Sequence, residues 1–420
     1  MEILTILNEW WDNSKISKDK AKDYKRKIFD EVKKTFFNYR QILILNGLRR
    51  VGKSTIIYQL IDELLNNKVN SKNIVYFSFD EVIEDPIKIL EEYSKITKIE
   101  WRKEKIFVFF DEIQKLKNWT SKTKILYDNF PNLKICISGS ASLMIEKTAI
   151  KDLAGRYFSL YVEPLSLKEF AELYFEKEIN NFRLYELDLK RIFEAYISKP
   201  FPEIVKWEDK IRINQYIKQL VVEKIIKSDI PESFKNVNAS LLSTLTEIFM
   251  KDVGMTLDIT SLSRELGVHK LTLSEHINFL EFGNIIRIVK NFRPSIRSES
   301  RKLKKVYPFN IALSLCFYPK LTERKILECI TASSLNLNKY WRKNEKEIDF
   351  LKIDKSVLPI EVKEKENINK KDIKTMIYFM KKYNLNDGLI IYYGKKEDFK
   401  VGNKKIIFLP IYELVFNLGV

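Results

Sequence analysis

Gly47-Leu48-Arg49-Arg50-Val51-Gly52-Lys53-Ser54-Thr55 carries the spacing G-x-x-x-x-G-K-[ST]. A turn of this kind is built to hold phosphate. Its glycines let backbone N–H groups converge on polyphosphate oxygens, and the helix that follows adds its positive end. Lys53 would reach the β- and γ-phosphates of ATP, and Ser54 would ligate Mg²⁺. The chemistry requires a strand before the turn and a helix after it. Gln41 to Leu45 (QILIL) reads as a buried strand, and the following IIYQLIDELL spaces its apolar residues as a helix does.

A second motif supplies the acids that the first one needs. Ile106-Phe107-Val108-Phe109-Phe110 runs without alternation, as a strand buried on both faces must, and Asp111-Glu112 follows at once. At the strand tip Asp111 would accept from a Mg²⁺-bound water, and Glu112 would orient and polarise the attacking water. Asn73 to Phe79 and Leu133 to Ile137 read as further strands, with a helix over Pro86 to Ile96. The Leu133 strand ends in Ser138-Gly139-Ser140, where a hydroxyl can touch the γ-phosphate or the water; Ser138 is the first choice and Ser140 the second, against a plain turn. Arg156 precedes a fifth strand, Tyr157 to Val162, and an arginine in such a short loop is suited to the γ-phosphate of a neighbouring subunit.

The elements around these motifs divide the chain. Residues 1 to about 40 form a helical lead-in with Trp10 and Trp11 as core packing, and 1–163 make the nucleotide core. A helical lid spans 164–237, interrupted at Lys199-Pro200-Phe201-Pro202. In 238–310 the helix Ile259 to Leu266, the turn Gly267-Val268-His269 and the helix Lys270 to Leu280 read as a winged helix. Lys270, Thr272 and Ser274 would face a DNA groove. Arg293, Arg297, Arg301, Lys302, Lys304 and Lys305 would form a phosphate-contacting wing. His269 and His276 serve the turn and the helix face rather than a metal.

GLRRVGKST, FFDEIQ with Trp119, ISGSAS and LAGR followed by EPLSLKEF resemble the archaeal and bacterial AAA+ ATPases that carry a C-terminal domain of unknown function, near the origin-recognition and STAND-type NTPases. The resemblance implies that Lys53, Ser54, Asp111 and Glu112 keep their nucleotide roles. It makes Arg156 the arginine-finger position, which requires at least a transient homo-oligomer. That family has Gly-Gly-Phe-Pro where this chain has Lys199-Pro200-Phe201-Pro202, so a glycine-dependent contact there is in doubt.

In 311–420, Glu347 to Leu351 reads as one strand and Val357 to Lys363 as the next, giving Asp349…Glu361-Val362-Lys363. Glu361 and Lys363 are two apart and share a strand face. The set resembles the PD-(D/E)xK nuclease core. That resemblance implies a Mg²⁺ or Mn²⁺ shared by Asp349 and Glu361, a water activated by Lys363, and Glu328 as the upstream acid. The competing expectation is a nuclease-like fold kept for docking, its carboxylates paired with lysines.

The fold class expected is therefore α/β: an AAA+-type P-loop core with a helical lid, a winged helix and a C-terminal restriction-endonuclease-like domain. The formal net charge of +17 favours an anionic partner, with DNA in the lead over a compositional cause. Three scattered cysteines and two histidines argue against a disulfide framework or a histidine-built metal site. No signal-peptide pattern and no apolar run of membrane-spanning length point to a cytoplasmic protein with no membrane partner. The expected function is DNA-stimulated ATP hydrolysis with Mg²⁺ and metal-dependent DNA cleavage, set against a STAND-like nucleotide switch.

Overall fold

Strands buried on both faces need cover on both, and the apolar runs of the first part find it in one parallel sheet. In the computed structural model these strands are β1 (Ile42–Gly47), β2 (Ile74–Ser78), β3 (Ile106–Asp111), β4 (Leu133–Ser140) and β5 (Tyr157–Tyr161). Their order is β2-β3-β4-β1-β5, parallel throughout. Every residue of β1, β2 and β3 is buried. The structure describes residues 2–140, 153–293, 304–369 and 371–416. The chain falls into two compact units, Met1–Pro164 with Asp229–Lys235, and Leu165–Ser228 with Asn236–Val420.

Within the first unit, the N-terminal segment closes the open edge of β2. Asn8 donates its side-chain amide to Tyr76 O at 2.9 Å and accepts from Tyr76 N at 2.7 Å, as a neighbouring strand residue would. The indole N–H groups of Trp10 and Trp11 both donate to Ile74 O, at 3.1 and 2.7 Å. The tryptophan pair is core packing, and it also covers an edge that would otherwise invite another strand. The helical lead-in is shorter than its periodicity predicts: a helix covers Phe29–Asn38, and the basic residues before it lie in turns.

In the second unit, helices Leu167–Phe175 and Glu186–Ser198 share one hydrophobic core with the helix Ile411–Phe416 near the chain's end. Phe182 meets Phe416 and Phe193 meets Tyr412 with ring centroids 5.5 and 4.8 Å apart. Ser166 and Glu169 cap the first of these helices reciprocally.

Helices Ala239–Lys251, Ile259–Glu265 and Lys270–Phe282 follow, each opened by a side chain, Asn238, Asp258 or His269, that accepts from a first-turn N–H. They lie with β6 (Met255–Leu257), β7 (Ile286–Asn291) and β8 (Lys304–Pro308); β8 pairs antiparallel with both β6 and β7. This sheet does not stop at residue 310. β7 pairs parallel with β9 (Lys339–Lys343), which pairs with β10 (Lys346–Ile348), giving the order β10-β9-β7-β8-β6.

A third sheet runs β11-β12-β13-β15-β14, from β11 (Phe350–Ile353), β12 (Val357–Val362), β13 (Asp387–Tyr392), β14 (Glu397–Val401) and β15 (Lys404–Pro410). The single strand expected over 347–351 is therefore two. The chain leaves one sheet after Ile348 and enters another at Phe350, with Asp349 at the crossing. The reason is a hydrogen bond: Val362 N, at the end of β12, donates to Asp349 Oδ2 at 2.8 Å and pins the bend.

Candidate functional site: a phosphate loop and a carboxylate cluster

β1 lies beside β4, and β4 beside β3, so the turn after β1 and the acids after β3 emerge at the same edge, where parallel sheets place ligands. Gly47 must be glycine: a Cβ there would stand 2.4 Å from Val162 O. Arg50 and Gly52 have φ of 67° and 95°, which turns successive N–H groups toward one side. Leu48 and Val51 are buried, so they anchor the loop and can offer a ligand only their backbone. Arg26, buried, ties the loop down by donating to Val51 O at 2.8 Å and to Glu163 O at 3.0 Å. The helix Lys53–Asn66 starts directly after, with Ser54 and Thr55 half-buried in its first turn.

The Lys53 ammonium is buried and donates to Leu48 O at 2.9 Å and Gly47 O at 3.2 Å. Burial pushes it below the usual lysine range, against the pull of Glu112 and Asp111. The acids are arranged with equal care. Asp111 accepts from Tyr76 OH at 2.9 Å, from Glu112 N at 3.1 Å and from the hydroxyl of Ser138. Glu112 has φ of 51°, a left-handed turn on a non-glycine residue at the strand tip, and accepts from the Gln114 amide. Burial holds its carboxyl above the usual glutamate range, and Lys53 opposes that. Asn46 Oδ1, at the root of the loop, is a buried acceptor with no partner among the described residues.

These residues fit a nucleotide with Mg²⁺. A buried lysine held by two backbone carbonyls is suited to phosphate oxygens. A carboxylate with a hydroxyl on each of its oxygens is oriented for one role. Mg²⁺ in such sites keeps several waters and needs few protein ligands, here Ser54 and Asp111. The Ser138 hydroxyl, the first choice for a contact to the γ-phosphate or the water, donates to Asp111 and so orients that acid. Ser140, buried opposite Gly47 in the β1–β4 register, sits nearer the loop. Ala141 and Ser142 of the ISGSAS stretch lie outside the described residues.

Arg156 occupies the opposite edge. Its carbonyl accepts from Ile42 N at 2.8 Å, at the start of β1. Its guanidinium grips Asp128 at 2.8 and 3.1 Å. With the length of β1, about 20 Å, between them, it does not meet its own chain's phosphate loop.

In the second unit the predicted acids do converge. Tyr307 OH donates to Glu328 Oε2 at 2.9 Å, and Glu361 and Lys363 pair at 2.6 Å on one face of β12. Burial pushes the Glu361 carboxyl up to about 7, with Lys363 drawing it down and Asp349 adding to the rise. Between Glu328 and Asp349, however, stands a cation that the sequence did not flag. Arg324 donates Nε to Glu328 Oε1 at 2.8 Å and Nη2 to Asp349 Oδ1 at 3.2 Å. Among the described residues no group of three or more acidic, histidine or cysteine side chains is disposed to hold a metal ion. The expected Mg²⁺ or Mn²⁺ on Glu328, Asp349 and Glu361 therefore does not fit, because a guanidinium already bridges two of the three.

The expected basic wing is also reduced. Lys305 is buried, paired with Glu347, and lies 5.1 Å from the Tyr340 ring, so it is not a phosphate contact. Arg293 donates to Arg342 O at 2.7 Å. Lys304 is half-buried, and Arg297, Arg301 and Lys302 lie outside the described residues. Lys270 is exposed, with Thr272 and Ser274 half-buried beside it. His269 caps its helix, and His276 accepts from Asn238 N at 2.9 Å while its other ring nitrogen meets Thr272 O at 2.8 Å.

Residues 39–171 match an AAA domain. Together with the loop and acid geometry, this match supports a nucleotide-hydrolysing ATPase of the AAA+ kind. Residues 190–321 match a domain of unknown function, DUF8612, and residues 295–414 match another, DUF4143. An uncharacterized protein of Methanocaldococcus jannaschii is 33% identical over 106 residues, covering 23% of this chain and 22% of its own length. One from Haemophilus influenzae is 31% identical over 80 residues, covering 19% and 20%. The matches thus span about a fifth of each of these relatives. Among solved structures, C. elegans PCH-2 covers 67% of this chain and 66% of its own at 15% identity, with a TM-score of 0.24. The S. cerevisiae Hsp104:casein complex covers 64% and 52% at 13% identity, with a TM-score of 0.31. At those scores they add nothing to the fold argument. No described helix is long and apolar enough to cross a membrane.

Sequence reading missed Arg26, Tyr76 and Asp229 around the AAA loop, and Arg324 in the second unit. Each makes a contact 25 or more residues away in the chain. Arg26 had one available signal, its place in a basic stretch, and that signal pointed to the surface. Asp229 accepts from Arg49 of the loop at 2.9 and 3.1 Å while 2% exposed.

Proposed function

We propose that this protein hydrolyses ATP at the Gly47–Thr55 loop and couples the nucleotide state to DNA. The observation that supports the reading is the convergence of a buried Lys53 and the Asp111–Glu112 pair at one sheet edge. Backbone N–H groups of the loop bind the phosphates, and Lys53 turns from its carbonyls to the β- and γ-oxygens. Tyr76 and Ser138 hold Asp111 in place. Glu112, its proton affinity raised by burial, orients the attacking water and draws its proton. Ser54 and Asp111 would hold Mg²⁺, which would supply neutralisation of phosphate charge. Arg156 leaves Asp128 to reach the nucleotide of a second copy, which makes hydrolysis depend on assembly.

For DNA, the support is the order helix, strand, helix, helix, strand, strand over 239–308, a winged-helix arrangement, together with the chain's net charge of +17. Lys270 and Asn278 present exposed polar groups on its third helix. The test is ATP turnover with and without duplex DNA across a salt series. Stimulation should fall steeply as salt rises, because counterion release governs phosphate contacts. A rate indifferent to DNA at every salt concentration would discard the coupling.

A second reading has a specific observation behind it. If the third sheet and its acids are read as a nuclease-like domain, Arg324 spans two of its acids, Glu328 and Asp349. That favours a catalytically inert docking domain driven by a STAND-like switch. A DNA-independent ATPase whose protease pattern changes with ATP would select it.

A further inference from the structure

We propose that Arg324 is the built-in cation of the Glu328–Asp349–Glu361 cluster and closes it to divalent metal ions, so that removing the guanidinium opens a metal site. The proposal concerns the second unit alone and stands whether or not the loop hydrolyses ATP.

The cluster is assembled from three places. Glu328 comes from the helix Glu323–Ser334, Asp349 from the crossing between β10 and β11, and Glu361 from β12. Arg324 lies one helical turn before Glu328, and its fork reaches two of these elements, Nε to Glu328 at 2.8 Å and Nη2 to Asp349 at 3.2 Å. Of the remaining oxygens, all but one are accounted for. Glu328 Oε2 takes Tyr307 OH, Asp349 Oδ2 takes Val362 N, and Glu361 Oε2 takes Lys363. Glu361 Oε1, on a side chain 2% exposed, has no partner among the described residues. Asp349, with Glu328, raises the Arg324 guanidinium further above its ordinary range, and an arginine in any case does not give up its proton to make room.

The donors are hard oxygens from three carboxylates, with one of them unsatisfied, which is the chemistry Mg²⁺ and Mn²⁺ prefer. What opposes those ions is a fixed positive charge at the centre. The half-exposed Arg324 side chain is placed to be removed by substitution without emptying the core.

The experiment is a Mn²⁺ titration of the nucleotide-free full chain, read by the loss of free Mn²⁺ signal in electron paramagnetic resonance. Wild-type protein should show no bound equivalent that depends on Asp349. Arg324→Gln and Arg324→Met should each gain one equivalent, bound about tenfold or more tighter than any wild-type site, since a cation is replaced by open carboxylate ligands. The gain should vanish in Arg324→Gln with Asp349→Asn. Mn²⁺ should also raise the melting temperature of the arginine variants and leave that of the wild type unmoved. A wild-type equivalent abolished by Asp349→Asn would overturn the proposal, and that arm needs no substitution at Arg324. So would folded Arg324 variants that bind no more Mn²⁺ than the wild type.

Discussion

Arg49 and Asp229 are 180 residues apart in the chain and form a forked ion pair, with Nε 2.9 Å from Oδ2 and 3.1 Å from Oδ1. The pair fastens the short 229–235 segment to the phosphate loop inside the first unit. Its two ends are unequal: the Arg49 side chain keeps 17% of its exposure, while that of Asp229 keeps 2%. Arg49→Ala strands a buried carboxylate and should cost about 3–5 kcal/mol. Asp229→Asn leaves a guanidinium with access to water and should cost less, about 1.5–3 kcal/mol. Urea unfolding followed by tryptophan fluorescence measures both, and equal losses would contradict the asymmetry.

Lys53 and Glu112 should fail in different ways. On the proposed function Lys53 would contact phosphate in ground and transition states, so Lys53→Ala should lower kcat/KM for ATP by about 10²–10³ and weaken retention of labelled ATP. Glu112 would handle the water on the same reading, so Glu112→Gln should keep ATP on the protein while kcat falls by about 10²–10⁴. Paired filter-binding and turnover assays check this. Undiminished turnover in Lys53→Ala would remove the loop from the chemistry.

What was legible in the sequence is what is local. The loop, its strand and its helix occupy one run of residues, and the burial of β3 is written in IFVFF followed by Asp-Glu. Alternation puts Glu361 and Lys363 on one face, whereas Glu328 and Asp349 joined them only through the resemblance to the PD-(D/E)xK core. The partners that finish each site were not legible. Arg324 looks like any charge on an amphipathic helix until the crossing at Asp349 brings a second carboxylate to it. Lys305 looks like a wing lysine, and only the antiparallel pairing of β8 with β7 and the approach of Glu347 bury it. The split of the 347–351 strand depends on a hydrogen bond from Val362, which no period-two pattern encodes.

Asp111 offers a test of positioning. Tyr76 and Ser138 each place a hydroxyl on a carboxylate that is 3% exposed. Tyr76→Phe and Ser138→Ala should each destabilise by about 1.5–3 kcal/mol, the range for a bond to a buried charge. Because both donors serve one group, the double variant should depart from additivity by at least about 0.5 kcal/mol. The same variants should lower kcat more than they change KM, since both hydroxyls act by orienting Asp111. Additive stability losses with unchanged kcat would make the two hydroxyls bystanders.

The pH dependence of stability carries the last prediction. Burial raises the Glu361 carboxyl from 4.5 to about 7. Below pH 4.5 this group is protonated in both folded and unfolded chains. As pH rises from there, the unfolded chain releases its proton first, so the folded state loses ground until pH passes about 7. The contribution is therefore stabilising on the acid side, and about 3 kcal/mol of it is lost across that window. Glu361→Gln cannot ionise and escapes the loss, though it gives up the Lys363 pair at every pH where that pair exists. The melting-temperature difference, variant minus wild type, should rise between pH 5 and pH 8 and level off above. A difference that stays flat, or falls, would mean that Lys363 compensates the buried charge in full and that the carboxyl titrates in its ordinary range.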